Sequence, residues 1–235
     1  MQKKRVHPEH RGITRAGLRD FILGFQDGAV NTLGLVLGVA SAVGESSVVL
    51  ISGIVTAFAE SLSMAAVAYT STKAAKEYYE AKRLEELKDM KELPAVEKEE
   101  IRKIYFKKGF RGKELERIVG KITSNKRLWL QTMMQEELHL LPDDYQNEKR
   151  SAVLVGLAAI LGCLIPTLPF FFLDVGTGMV VAFLLSVAAL FVVGAVKARI
   201  TIGSWWKKGL ELTAIGTLTA LVGFGVGRVL GAYFG

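Results

Sequence analysis

The chain has 235 residues, half of them hydrophobic, with a mean hydropathy of +0.30 and a formal net charge of +7 from 30 Lys/Arg and 23 Asp/Glu. The charges are segregated: 35 lie in residues 73–150, eight in 1–20 and four in 197–208, leaving Asp27, Glu45, Glu60, Asp174, Glu211 and Arg228 for the rest. That distribution excludes a single soluble globular domain and a disordered chain. Because the excess positive charge flanks apolar runs, it also argues against a nucleic-acid-binding face.

Residues 1–20 read as a cytosolic N-terminal segment carrying Lys3, Lys4, Arg5, Arg11, Arg15 and Arg19. No cleavable signal peptide follows, because the next apolar stretch is long enough to span and has no small-residue cleavage pattern after it. A membrane span needs about 20 apolar residues, and five stretches qualify, at about 21–43, 47–72, 151–173, 177–196 and 209–231. The positive-inside rule puts the N-terminus, the charged insert and the turn with Lys197, Arg199, Lys207 and Lys208 on the cytosolic side. The links at 44–46 and 174–176 contain no Lys or Arg and fall outside, as does the C-terminus after five crossings. The expected fold class is therefore an all-α polytopic membrane protein with five transmembrane helices and a cytosolic helical insert. Its parts are residues 1–20, spans one and two over 21–72, the insert 73–150, and spans three to five over 151–235.

The first span contains Asp27 and Asn31, four residues apart and so on one helix face, with Gln26 and Thr32 beside them. Glu60 and Met64 have the same spacing in the second span. An ionisable side chain inside a bilayer costs about 3 kcal/mol or more unless it meets a wet cavity or a partner, so a functional role is the default reading. The packing alternative puts Asp27 at the headgroup level and makes Met64 a gap filler. Two carboxylates with no Lys or Arg in either span need protons or a cation. A divalent ion that displaces those protons is linked to proton movement. A thioether beside carboxylates favours Fe2+, Co2+ or Zn2+ over Mg2+ and Ca2+. One chain offers too few ligands for six-fold coordination and a two-fold interface would double them. The pairs Gly24/Gly28 and Gly34/Gly38 allow close helix approach, either between two copies or within one chain. Cys163 reads as a packing residue in an apolar run, with no disulfide framework or thiolate cluster possible from one cysteine.

The second span runs into polar sequence with no stop signal, so one helix is expected to about Leu93, with Pro94 opening the next. Further helices are expected at about 95–107, 113–122 and 124–140, the last capped by Ser124 and ended by Pro142. Glu86/Asp89 and Glu97/Glu100 are i,i+3 pairs, and Met133, Met134 and Glu137 form a third cluster. These are candidate metal ligands; solvated acidic faces and a Met-filled core are the alternatives. Glu136-Glu137-Leu138-His139 contains one Glu-x-x-His, whereas a ferritin-like di-iron site needs two together with two further Glu. A membrane-anchored metal sensor that does not transport is a further class. His139 reads as a helix-end residue, and His7 and His10 as part of a solvated tail.

Five segments carry a family resemblance: DGAVNTLGLVLGVA from Asp27, AESLSMAAVAYTSTK from Ala59, LPAVEKEEIRKIYFKKGF from Leu93, ITSNKRLWLQTMMQEEL from Ile122, and VKARITIGSWWKKGLE from Val196. Over about residues 18–231 the chain resembles the vacuolar iron transporter family, with its vacuolar iron/manganese carrier and nodulin-like relatives. The resemblance implies a homodimer that exports cytosolic Fe2+ in exchange for protons, with no prosthetic group and with the pathway at the dimer interface. It implies transport-site roles for Asp27 and Met64. It also implies metal capture by Glu86, Asp89, Glu97, Glu100, Met133, Met134 and Glu137. Many members have Gly-Glu-Tyr where this chain has Val67-Ala68-Tyr69, and Glu60, two turns earlier, is the expected substitute. Asp89 stands where Glu is common, one methylene shorter. With its short N-terminus the chain is expected in a prokaryotic plasma membrane, or in a vacuolar membrane if eukaryotic.

Overall fold

A computed structural model describes residues 15–141, 147–198, 201 and 203–234. His7, His10, most of the basic N-terminal segment, Pro142 and Arg199 lie outside the described residues. The chain divides into two compact units, Met1–Tyr69 with Glu148–Gly235, and Thr70–Asn147.

The first unit is built from α1 (Arg15–Val43), the first part of α2 (Ser46–Glu92), α6 (Glu148–Thr167), α7 (Val175–Lys197) and α8 (Trp205–Phe234). All five are long and apolar enough to cross a membrane. The described residues of α1, α2, α6, α7 and α8 therefore carry the five spans read from the sequence. Gly44, at φ 73°, ends α1 and donates to the Ala40 carbonyl, the left-handed turn that glycine adopts without a Cβ penalty. Asp174 caps α7 by accepting from the Thr177 amide at 3.0 Å. A 3-10 turn, Leu168–Phe171, follows Pro166 at the end of α6.

Helices α1 and α6 form the centre of this unit, with more than half of each apolar window buried, against 22–28 % for the other three. The close packing of α1 is made by glycine. A side chain on Gly24 or Gly28 would collide with the Val155 or Ala159 carbonyl of α6. Gly34 and Gly38 lie against Thr219 and the Gly223 carbonyl of α8, and Gly223 and Gly227 return the contact. Both glycine pairs of the first span are thus used within one chain. Leu33, Val36, Leu190, Leu212 and Phe170 fill the space between the helices and are almost fully buried.

The second unit contains the rest of α2 and three shorter helices. Helix α2 ends at Glu92, and Pro94 takes the first position of α3 (Pro94–Lys107), where its missing N–H costs nothing. In α4 (Gly112–Thr123), Leu115, Val119 and Ile122 recur on one face and bury against Ile101 and Met133. The helix expected over 124–140 is instead α5 (Lys126–Thr132) continued by a π-helical turn, Met133–Glu137. Its cap is Asn125 rather than Ser124. The Asn125 carboxamide accepts from the Arg127 and Leu128 amides at 3.0 and 3.1 Å, while the Ser124 hydroxyl donates back to the Lys121 carbonyl. The segment ends at Glu137, before Pro142, because His139 turns left-handed at φ 56°.

Candidate metal-binding sites

In the first unit, α1 and α2 bring the two sequence-predicted pairs together. The Asn31 amide nitrogen donates to Glu60 Oε1 at 2.9 Å, and the Asp27 carboxyl lies close to both Glu60 and Asn31. Met64 is one helical turn beyond Glu60 on the same face. Asp27, Glu60 and Met64 are half-buried and Asn31 is exposed. Ala68 is buried at 6 % exposure, and Glu60 is a carboxylate close to Asp27.

Thr32, read from the sequence beside Asp27 and Asn31, and Cys163, read as a packing residue, are both buried in the same unit. Cys163 of α6 is fully buried, and its sulfur lies where a methyl group on Gly28 would meet it at 3.0 Å. The Thr32 hydroxyl is also fully buried, with no geometric hydrogen-bond partner among the described residues. Nothing in the linear sequence marks the approach of Cys163 to α1 beyond the glycine at position 28.

In the second unit, the acidic residues separate into two populations. Glu80, Glu85, Glu99, Glu116 and Glu136 pair with Arg83, Lys82, Arg102, Arg102 and Lys108, respectively. Among the described residues no Lys or Arg forms an ion pair with Glu86, Asp89, Glu97, Glu100 or Glu137. Glu86 and Glu97 are buried, at 8 % and 6 % exposure, and their carboxyl groups hydrogen-bond to each other. One oxygen of each, Glu86 Oε1 and Glu97 Oε2, has no partner.

Burial and the shared hydrogen bond push the Glu86 carboxyl up to about 8, with the Glu97, Glu137 and Glu100 charges adding to the effect. Glu97 is raised chiefly by burial, then by the Glu100 and Asp89 charges, against a lowering hydrogen bond from Glu86. Glu137 is raised by desolvation and then by Glu100 and Glu97. Four of the predicted carboxylates thus converge electrostatically, with Asp89 acting on Glu97. Among the described residues no three His, Cys, Asp or Glu side chains form a closed metal-holding group. The free oxygens of Glu86 and Glu97 are what an oxygen-seeking divalent cation would take.

The π-helical turn puts consecutive Met133 and Met134 at the buried side. Met133 packs in the apolar core beside Ile101, and Met134 lines a neighbouring recess with Tyr79, Arg83 and Arg127. The same turn removes support for a di-iron reading. His139 has left the helix and Glu136 is engaged by Lys108, so Glu-x-x-His does not present one helical face.

Five apolar helices with an acid–amide–acid grouping among them, together with a helical unit carrying buried carboxylates without a Lys or Arg partner, define a polytopic membrane protein. The sequence profile of the VIT family matches residues 18–228, and the chain belongs to that family. It is 29% identical to vacuolar iron transporter 1 of Eucalyptus grandis over 91% of this chain and 86% of that protein. It is 28% identical to vacuolar iron transporter 1 of Arabidopsis thaliana, with the same coverage. The vacuolar iron transporter of Plasmodium falciparum is 28% identical, over 95% of this chain and 86% of that protein.

Proposed function

We propose that this chain exports cytosolic Fe2+ across its membrane in exchange for protons, and that the helical unit of residues 70–147 captures the metal for the transport site. The carrying observation is the contact of Asp27 with Glu60 and Asn31 between two helices apolar enough to cross a membrane. Adjacent carboxyl groups there either share protons or hold a cation, and exchange of one for the other is antiport. Met64 supplies a soft donor that suits Fe2+, Co2+ and Zn2+, and relatives over nearly the whole chain are named iron transporters. Mn2+ is a further candidate cargo, since carboxylates dominate both sites.

The pathway lies at the interface of a homodimer in this reading. Asn31 is exposed and Glu60 and Met64 are only half covered by their own chain, a costly arrangement against lipid that a second copy relieves while doubling the ligands. A non-transporting sensor would use the soluble unit but leave Asp27 and Glu60 without a role.

In proteoliposomes holding Fe2+ outside and an acidic lumen, the proton gradient drives Fe2+ uptake for the chains whose cytosolic side faces out. Equal Fe2+ movement with and without the gradient refutes the coupling, and no Fe2+ movement refutes transport.

A further inference from the structure

We propose that the recess of about 310 Å³ between α2 and α5 in the second unit binds a small oxyanion, of the polycarboxylate or phosphate class, through Arg83 and Arg127. This binding does not depend on whether the chain moves Fe2+.

Two helical faces build the recess. Tyr79 and Arg83 stand four residues apart on α2, and Arg127, Gln131 and Gln135 follow one another at the same spacing along α5 and its π-helical continuation, the spacing that keeps side chains on one side of a helix. Leu130 and Met134 complete the lining, and no carboxylate belongs to it, although the surrounding unit is rich in Asp and Glu. Glu80 accepts from Arg83 Nη1 at 3.0 Å; a guanidinium carries five N–H donors, so most of the Arg83 fork is left for another acceptor. Among the described residues Arg127 has no acidic partner.

Two guanidinium groups lining one concavity repel each other until an anion sits between them, and each planar fork matches carboxylate or phosphate oxygens two at a time. The Gln131 and Gln135 carboxamides add neutral donors that fix the orientation of the occupant. Ligand pockets run from roughly 300 to 1,000 Å³, and a recess at the bottom of that range takes a small ion rather than a peptide. The same charges turn cations away, which separates this recess from the Glu86/Glu97 pair. Met134, buried, is shared between its wall and the candidate metal ligands, so an oxyanion seated here borders the residues assigned to metal capture.

The full-length protein in detergent, stripped of metal on a chelating resin, is titrated calorimetrically at two temperatures with citrate and with inorganic phosphate. The titrations run at about 0.15 M salt, where general attraction to a basic surface is screened beyond about 8 Å. Wild type is compared with Arg127→Gln, Arg83→Gln and Arg117→Gln, each shown to be folded by its thermal midpoint; Arg117 is exposed on α4 and does not line the recess. Saturable binding of one anion per chain is expected for wild type and Arg117→Gln, with roughly tenfold or greater weakening in Arg127→Gln and Arg83→Gln, the scale of losing a charge-assisted hydrogen bond. Tighter binding of citrate assigns the polycarboxylates, and tighter binding of phosphate the phosphates. No saturable binding of either anion by folded wild type overturns the site, as does an equal loss in Arg117→Gln or no loss in Arg127→Gln.

Discussion

Asp174 and Glu211 do what acidic residues ordinarily do in this fold. Asp174 caps a helix, and Glu211 is held by Lys197 and Lys208 at 3.4 and 2.8 Å. Asp27 and Glu60 have neither occupation, and their contacts are each other and Asn31. Glu60→Gln retains an acceptor for Asn31 and removes one charge. It is expected to raise the KM for Fe2+ roughly tenfold or more while leaving the protein's thermal midpoint in detergent close to wild type; an unchanged KM means that Glu60 is not a cargo ligand. The Asp27/Asn31 and Glu60/Met64 faces were legible from four-residue spacing alone. The pairing of those faces, 29 residues apart at Asn31 and Glu60, depends on the register of α1 against α2. The approach of Cys163 to Gly28 was not legible, because an apolar run hides which helix a thiol will meet.

At the scale of elements, glycine spacing was readable but its partner was not. The Gly24/Gly28 and Gly34/Gly38 pairs fitted helix approach between copies or within a chain, and they seat α6 and α8 of the same chain. Gly223 and Gly225 test this packing. A Cβ on Gly223 would press on the Gly34 backbone, whereas one on Gly225 meets nothing within 4 Å. Gly223→Ala is expected to destabilise by about 1–3 kcal/mol, and Gly225→Ala to be neutral or stabilising by up to about 1 kcal/mol. Thermal unfolding in detergent ranks the two, and equal effects contradict the packing. The insert helices were legible from their breakers, Pro94 and the glycines after Phe106. The π-helical turn was not, because nothing in the local propensity of Met133–Glu137 separates it from the α-helix it continues.

The buried carboxylates of that unit make its stability depend on pH. Glu86 rises from 4.5 in an open chain to about 8 in the fold, and Glu97 and Glu137 rise with it. Between those values the folded, metal-free state binds more protons than the unfolded one, so its stability falls as pH rises through the window. Cation binding, which displaces the protons, strengthens over the same range. Amide exchange in α3 and the π-helical turn, corrected for intrinsic rates, is expected to be slower at about pH 6 than at about pH 8. Glu86→Gln should flatten the difference. Greater protection at the higher pH in metal-free protein contradicts the assigned shifts.

For the whole molecule, the segregation of charge announced five apolar helices, and the described residues carry five helices long and apolar enough to cross a membrane; the chain divides into two compact units, one of them residues 70–147. Phe58, at 63 % exposure, and Leu62, at 71 %, leave the α2 side of the first unit open, consistent with lipid or a second copy as cover. The central claim is that Asp27 exchanges protons for Fe2+ inside the membrane. It is tested most directly by recording Fe2+ flux and lumenal pH together in proteoliposomes of wild type and Asp27→Asn, each first shown to be folded by its thermal midpoint. The account predicts opposed Fe2+ and proton fluxes in wild type and the loss of both, roughly hundredfold, in Asp27→Asn; Fe2+ transport by that variant with wild-type proton coupling would contradict it.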